Sequence, residues 1–238
     1  MATHAPNPFS ASGFDTQRDK LAVYFDGTAR KAWIDLTSDA KVSGIRATVR
    51  AGRDEMRSVL LSMLPEDLRR KRMLDAGCGT GALAVEAAFR GAEITAVDVA
   101  SGLVDIAKER APQFLGHGKI AWQAGDFLDP QLGEFEHIVL MDSLIHYSLS
   151  DMVAALSDLS KRCHGSIAFT FAPHTPMLGA MHRVGKIFPR SDRSPAIVPI
   201  AERRLRQALA PLHEWRIGRT QRVSSGFYTS QAMQLVRR

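Results

Sequence analysis

Cysteine is scarce in this chain, with two residues, Cys78 and Cys163, among 238. That scarcity excludes a disulfide framework and cysteine-based zinc spacing, and it points to reduced thiols in a cytosolic setting. Cys78 reads as a small side chain packed under a turn rather than a nucleophile. Long apolar runs are missing as well. No stretch reaches the roughly 18 consecutive apolar residues of a membrane span. The segment Met1-Ala-Thr-His-Ala-Pro-Asn-Pro lacks the basic and apolar parts of a secretory signal, so a soluble protein is expected. No spaced His, Asp or Glu set suggests a protein-bound catalytic metal, and there are no internal repeats.

The length suits one α/β domain with an elaboration and is too short for two full-size domains. A formal charge of +6 and a pI near 9.6 admit nucleic acid, an anionic membrane surface or an acidic small molecule, and do not choose among them. The densest basic run, Arg69-Arg70-Lys71-Arg72, reads as a solvated loop. Arginines from Arg183 to Arg222 are candidates to line a pocket.

What is present is most informative at Met73-Leu-Asp-Ala-Gly-Cys-Gly-Thr-Gly81, a buried-strand pattern that runs into a glycine turn and then a helix. Gly77, Gly79 and Gly81, with Cys78 and Thr80 between them, form G-x-G-x-G. The last glycine comes one position earlier than in the dinucleotide fingerprint. Asp75 stands two residues before the first glycine, where it repels phosphate and suits a cationic ligand. A second apolar strand ends at Asp98-Val99, roughly 20 residues past the turn, where an acid that binds ribose hydroxyls belongs. A third ends at Gly125-Asp126-Phe127, offering a carboxylate to an adenine amino group and a ring to lie against the base. Together these suggest S-adenosylmethionine, and the set resembles the class I methyltransferases. Asp75 would then meet the ammonium of the methionine moiety.

The rest of the chain predicts the surrounding fold. Met1 to about Gln17 is polar and expected to be mobile. Lys20 to Ile34, with Tyr24, Phe25 and Trp33 around an Asp26-Gly27 turn, reads as a lid. Gly44 to Leu64 has helical apolar spacing and is stopped by Pro65. Strands and helices then alternate from Met73 to Phe171, which implies a doubly wound, mostly parallel Rossmann-like sheet. Proline-rich, basic Ala172 to Pro199 interrupts the alternation, and Trp215 to Val223 with Tyr228 to Val236 would close a seven-stranded sheet as an antiparallel pair. The expected units are residues 1–65 (N-terminal segment and lid helices), 66–173 (cofactor-binding core), 174–210 (a substrate-covering insertion after the fifth strand) and 211–238 (the strand pair).

The fourth strand ends Val139-Leu-Met141-Asp142-Ser143, followed by Leu144-Ile-His146-Tyr147, at the sheet end where α/β folds bind ligands. Met141 and Asp142 are candidate cofactor contacts. The Asn/Asp-Pro-Pro-Tyr/Phe segment of amino methyltransferases is missing here, and Cys163 lacks the Pro-Cys context of RNA C5-methyltransferases, so nucleic acid loses its sharpest motifs. The chain resembles the magnesium-protoporphyrin IX methyltransferases at Tyr24-Phe-Asp-Gly-Thr28, Leu74 to Gly81, Met141 to Tyr147, and Phe171-Ala-Pro-His-Thr-Pro176 through Gly185 to Pro195. It departs from plant and cyanobacterial members at Ser143, where these tend to carry cysteine.

The resemblance implies methyl transfer from S-adenosylmethionine to the C13 propionate of magnesium protoporphyrin IX, in chlorophyll and bacteriochlorophyll synthesis. The products would be the monomethyl ester and S-adenosylhomocysteine. A propionate carboxylate, with a reference pKa of about 4.3, is already anionic near neutrality, so no strong base is required. Alignment and exclusion of water would carry the rate. In this reading His146 orients the propionate or takes its proton, and Tyr24 closes over the methyl donor. Met177, Met181, Phe188 and Pro189 would cover the macrocycle, and His174 or His182 would reach its magnesium. The resemblance also leaves room for contact with a magnesium chelatase subunit and for peripheral association with the photosynthetic membrane. Rival readings are an O-methyltransferase of another acidic or phenolic molecule and a non-catalytic basic binding module.

Overall fold

A computed structural model describes residues 11–27, 29–37, 44–174 and 196–238. Helices α1 (Ala11–Asp26), α2 (Arg30–Leu36) and α3 (Gly44–Ser62) precede β1 (Arg72–Ala76). Then follow α4 (Ala82–Phe89), β2 (Glu93–Asp98), α5 (Ser101–Arg110), β3 (Lys119–Ala124) and β4 (Phe135–Leu140). The chain continues through α6 (Leu149–Ser160), β5 (Cys163–Phe171), α7 (Glu202–Leu209), β6 (Trp215–Ser225) and β7 (Tyr228–Arg237).

The seven strands lie in the order β3-β2-β1-β4-β5-β7-β6, with β7 antiparallel to both its neighbours and the other pairings parallel. Strands buried on both faces read as continuous apolar runs, and alternate residues feed opposite faces. On β1, Leu74 joins Ile138, Leu140, Phe169 and Leu156 on one side, whereas Met73 joins Met56, Leu60, Ala84 and Ala88 on the other. The small residues Ala84, Ala87 and Ala88 are fully buried and bring α4 close to the sheet. The two edges differ from the centre. On β3, Lys119, Gln123 and Ala124 are exposed, and β6 sets Arg216, Arg219 and Arg222 outward, which blunts an otherwise open edge.

The order reverses between β1 and β4, so a crevice opens beyond their carboxyl ends, where ligands bind in open α/β sheets. Three helices reach this crevice from the N-terminal side. The segment expected to be mobile as far as Gln17 is helical from Ala11, because Phe14 stacks on Tyr147 at 4.4 Å and meets Phe127 edge-on at 6.1 Å. At the other end of α1, Asp26 accepts the backbone N–H groups of Ser101 (3.1 Å) and Gly102 (2.8 Å) and so caps α5. The β6–β7 hairpin turns at Gly226-Phe227, with β6 running on through Ser225. Gly226 has φ +56°, and the Ser225–Tyr228 pair closes a two-residue loop.

Of the 174–210 insertion, the structure describes His174 and the part from Ala196, where Pro173 bridges to Ile200. Met177, Met181, His182, Phe188 and Pro189 lie outside the described residues.

Candidate active site

A cavity of about 650 Å³ fills the crevice, within the range of small-molecule sites. Its floor is the β1–α4 turn. Gly77 has φ +82°, and a Cβ there would fall 2.5 Å from the Cβ of Ser143, so the turn demands glycine on both counts. Gly77, Cys78, Gly79 and Thr80 all line the cavity, with Asp75, Asp98 and Val99 behind them and Phe127, Met141 and Asp142 beside them. Tyr24 and His146 face in from opposite elements. Gly81, Gly125 and Asp126 do not line it. Gly81 backs onto the Trp122 ring and Ala107. The Asp126 carboxylate is taken by Arg18 at 2.7 Å and by the Leu128 N–H at 2.8 Å.

The electrostatics of the floor explain what the cavity selects. Asp75 is 1% exposed. Burial, and then the nearby Asp98 charge, push its carboxyl up to about 7, against an opposing backbone N–H at Ala84. Its Oδ2 is buried without a hydrogen-bond partner, as are Ser143 Oγ and Thr229 Oγ1, and all three residues line the cavity. Orphaned buried acceptors are costly unless a ligand satisfies them. Asp98 is also raised by burial, while the N–H groups of Ala100 (2.9 Å) and Gly79 (2.8 Å) pull it back. Each of its oxygens retains a lone pair for a further donor. Cys78 is held well above the ordinary thiol range by burial and by the Asp75 and Asp98 charges, which makes it a neutral packing group.

The opposite wall is basic. Arg46, Arg50, Arg53 and Arg57 of α3 all line the cavity, with i, i+4, i+7, i+11 spacing on one helical face. This stripe was missed in the sequence, where the apolar spacing of the same helix drew attention to its other face. Conversely, none of the described arginines between Arg203 and Arg222 lines the cavity. Helix α7 buries Leu205 and Leu209 and so turns Arg203, Arg204 and Arg206 to solvent. Arg53 stacks over Trp33 at 4.5 Å and donates to Asp142 at 2.6 Å.

Asp142 has φ +55° and is the hub of a buried network. It accepts hydrogen bonds from the Tyr228 hydroxyl (3.1 Å to each oxygen), Ser230 (3.3 Å) and Thr170 (3.2 Å). Burial and the Asp142 charge raise the Tyr228 phenol, which keeps it protonated as a donor. Gly52 permits this reach, since a Cβ there would lie 2.5 Å from the Tyr228 ring.

His146 approaches the Ala196 carbonyl through Nδ1 at 3.3 Å, and its ring lies 6.3 Å from that of Phe25. A carbonyl only accepts, so in the neutral ring that contact calls for the proton on Nδ1. Burial raises Tyr24, which remains a neutral hydroxyl.

A glycine cradle, an orphaned acid for a cationic ligand, a second acid at the next strand end and an aromatic wall, all at the switch point of this sheet order, define a class I S-adenosylmethionine-dependent methyltransferase. Residues 73–164 match a methyltransferase domain, and residues 140–237 match the family described as magnesium-protoporphyrin IX methyltransferase C-terminus. The chain is 47% identical over 218 residues to the magnesium-protoporphyrin O-methyltransferase of Rhodobacter capsulatus, covering 91% of this chain and 95% of that one. It is 27% identical to the Synechocystis sp. protein of the same name, covering 92% and 96%. The crystal structure of magnesium protoporphyrin IX methyltransferase from Synechocystis PCC 6803 with bound SAH is similar, with a TM-score of 0.79 at 25% identity over 92% of this chain and 99% of that one. The chain belongs to the magnesium-protoporphyrin O-methyltransferase family.

Proposed function

We propose that this protein methylates magnesium protoporphyrin IX on its C13 propionate, using S-adenosylmethionine, and releases the monomethyl ester and S-adenosylhomocysteine for (bacterio)chlorophyll synthesis. The observation that carries the reading is the pairing, in one cavity, of an orphaned acid beside the glycine turn with an arginine-lined wall opposite. The acid favours a cationic donor, and the arginines favour an anionic acceptor.

When bound, S-adenosylmethionine supplies an electrophilic methyl group on a sulfonium. Asp75 would hold the methionine ammonium, the Gly77-Cys78-Gly79-Thr80 backbone would follow the donor, and Asp98 would take the ribose hydroxyls. Phe127, with Val99, Met141 and Asp142, would bound the base and methionine ends. The acceptor carboxylate is its own nucleophile, so the chain has to position it and keep it dry. His146 orients the propionate, or takes its proton if the carboxyl group arrives neutral. Tyr24 and Trp33 exclude water from above. Trp33 already reaches over the turn, where a Cβ on Gly79 would lie 3.4 Å from its indole nitrogen.

No described helix is long and apolar enough to cross a membrane. A cytoplasmic protein that associates peripherally with the photosynthetic membrane, and that contacts a magnesium chelatase subunit to receive its substrate, extends the same reading; the charge of +6 supports attraction to anionic surfaces.

The test is an assay of purified protein with S-adenosylmethionine and magnesium protoporphyrin IX, products being resolved by chromatography and mass. Gain of one methyl on the porphyrin is expected. Cofactor binding without porphyrin turnover would move the acceptor to another acidic or phenolic molecule.

A further inference from the structure

The four arginines on the cavity face of α3 are not equivalent. Arg57 pairs with Glu86 and with Asp54 at 2.8 Å. Arg53 is neutralised by Asp142 at 2.6 Å, and Arg50 donates to the carbonyls of Asp35 (2.7 Å) and Leu36 (2.9 Å). Arg46 is exposed and has no hydrogen bond or ion pair with any described residue, although it lines the same cavity. At 1.5 Å of rise per residue it stands roughly 10 Å along the helix from Arg53. Because Arg53 reaches the end of β4 through Asp142, that displacement carries Arg46 outward, to the cavity mouth.

The β6–β7 hairpin also contributes to the lining of this cavity. The β6–β7 hairpin tip packs on the first turns of α3, where a Cβ on Gly226 would meet the Thr48 hydroxyl at 2.3 Å. Phe227 on that tip lines the cavity and is 54% exposed. An uncompensated guanidinium and an exposed ring lining one cavity suit a broad apolar molecule with an anionic edge. An anion at Arg53 would meet a charge that Asp142 already cancels. At Arg46 it would meet an uncancelled one.

We infer that Arg46 binds the second carboxylate of the acceptor, the propionate that is not methylated, while Phe227 supports the apolar face of the macrocycle. The inference rests on the acceptor reading above and adds to it a residue that sets which carboxylate reaches the donor. Arg46 acts by binding and takes no part in the chemical step. Its removal should therefore weaken acceptor binding and loosen the choice of carboxylate with little change in kcat.

The experiment is an absorbance titration of the protein, without S-adenosylmethionine, against magnesium protoporphyrin IX and an analogue whose second propionate is an amide. Wild type, Arg46→Gln and Arg46→Lys are compared, and turnover and product position are followed in parallel. Arg46→Gln is expected to weaken diacid binding by about fivefold to tenfold. Its effect on the amide should be clearly smaller, because the charge is gone and only a neutral acceptor oxygen remains. Arg46→Lys should recover part of the loss, and Arg46→Gln should raise KM and give a mixture of product esters. Equal weakening of diacid and amide, or no change for either, with wild type active, overturns the Arg46 assignment alone. A wild type that neither binds nor methylates the diacid overturns the acceptor reading, and this one with it.

Discussion

Arg53 and Asp142 are 89 residues apart in sequence and joined by a 2.6 Å hydrogen bond that ties α3 to the end of β4. The carboxylate is 5% exposed and the guanidinium 18%, so the pair sits largely out of water, with Trp33 against one face of the arginine. Removing one partner of such a pair leaves the other charge buried and uncompensated. Asp142→Asn isolates this effect, because asparagine, like aspartate, tolerates the left-handed backbone found here. The variant should lose about 3 kcal/mol of stability in urea unfolding, and a double-mutant cycle with Arg53→Gln should show strong coupling. Wild-type stability in Asp142→Asn would mean that the network contributes nothing net.

Asp26 supplies the cap of α5 from 76 residues away and in doing so fixes the end of α1 over the cavity. Asp26→Ala should cost about 1 kcal/mol, the usual worth of an N-cap. Amide hydrogen exchange should accelerate at Ser101 and Gly102 first, and cofactor dissociation should quicken because Tyr24 lies on the same helix. Unaltered exchange at those amides would show that the contact bears no load in solution.

How much of this could be read from the chain depended on the distance between partners. Asp75, the glycine turn and Asp98 were legible because backbone chemistry forces them into a short, ordered spacing, and each stands where its strand ends. The strand pair at the C-terminus was legible from alternation alone. Asp26 read as a turn signal, since nothing local reveals a carboxylate that accepts from the Gly102 N–H. Asp126 read as a ligand acid, whereas Arg18, 108 residues away, occupies one of its oxygens. The α3 arginines share one helical face, but charges on an amphipathic helix ordinarily face water and so draw no functional reading. Here the helix borders a cavity, and its polar face becomes a wall.

His146 is held by the Ala196 carbonyl and lies beside Phe25, so its ring is placed from two sides. His146→Ala should lower turnover by about a hundredfold, the lower range for a positioned acid–base group. Cofactor affinity measured by calorimetry should not change, because in the proposed reading the ring contacts the acceptor and not the donor. Turnover equal to wild type would remove His146 from the mechanism, and a matching loss of cofactor affinity would reassign it to the donor site.

Asp75 should make both stability and cofactor binding depend on pH, in opposite directions. In the unliganded fold its carboxyl sits near 7, raised mainly by burial and then by Asp98, whereas in the unfolded chain it returns to about 3.9. The folded state therefore binds more protons than the unfolded state across this window. Its stabilising contribution is complete below about pH 4 and is lost as pH rises through 7, so the thermal midpoint of the unliganded protein should fall over that interval. A cationic ligand reverses the preference, since it favours the ionised acid. Below about 7, binding S-adenosylmethionine must displace the proton, and affinity should drop by up to about tenfold per pH unit. Above 7 it should level off. Asp75→Asn removes its own share of both slopes and leaves the smaller one from Asp98. It should be more stable than wild type at about pH 8, and it should bind the cofactor about 10- to 100-fold more weakly there, the loss of a hydrogen bond between charged groups. Calorimetry in two buffers of different ionisation enthalpy counts the protons released. A wild-type affinity that stays flat between about pH 6 and 8, with no proton release, would mean that Asp75 is ionised before the cofactor arrives.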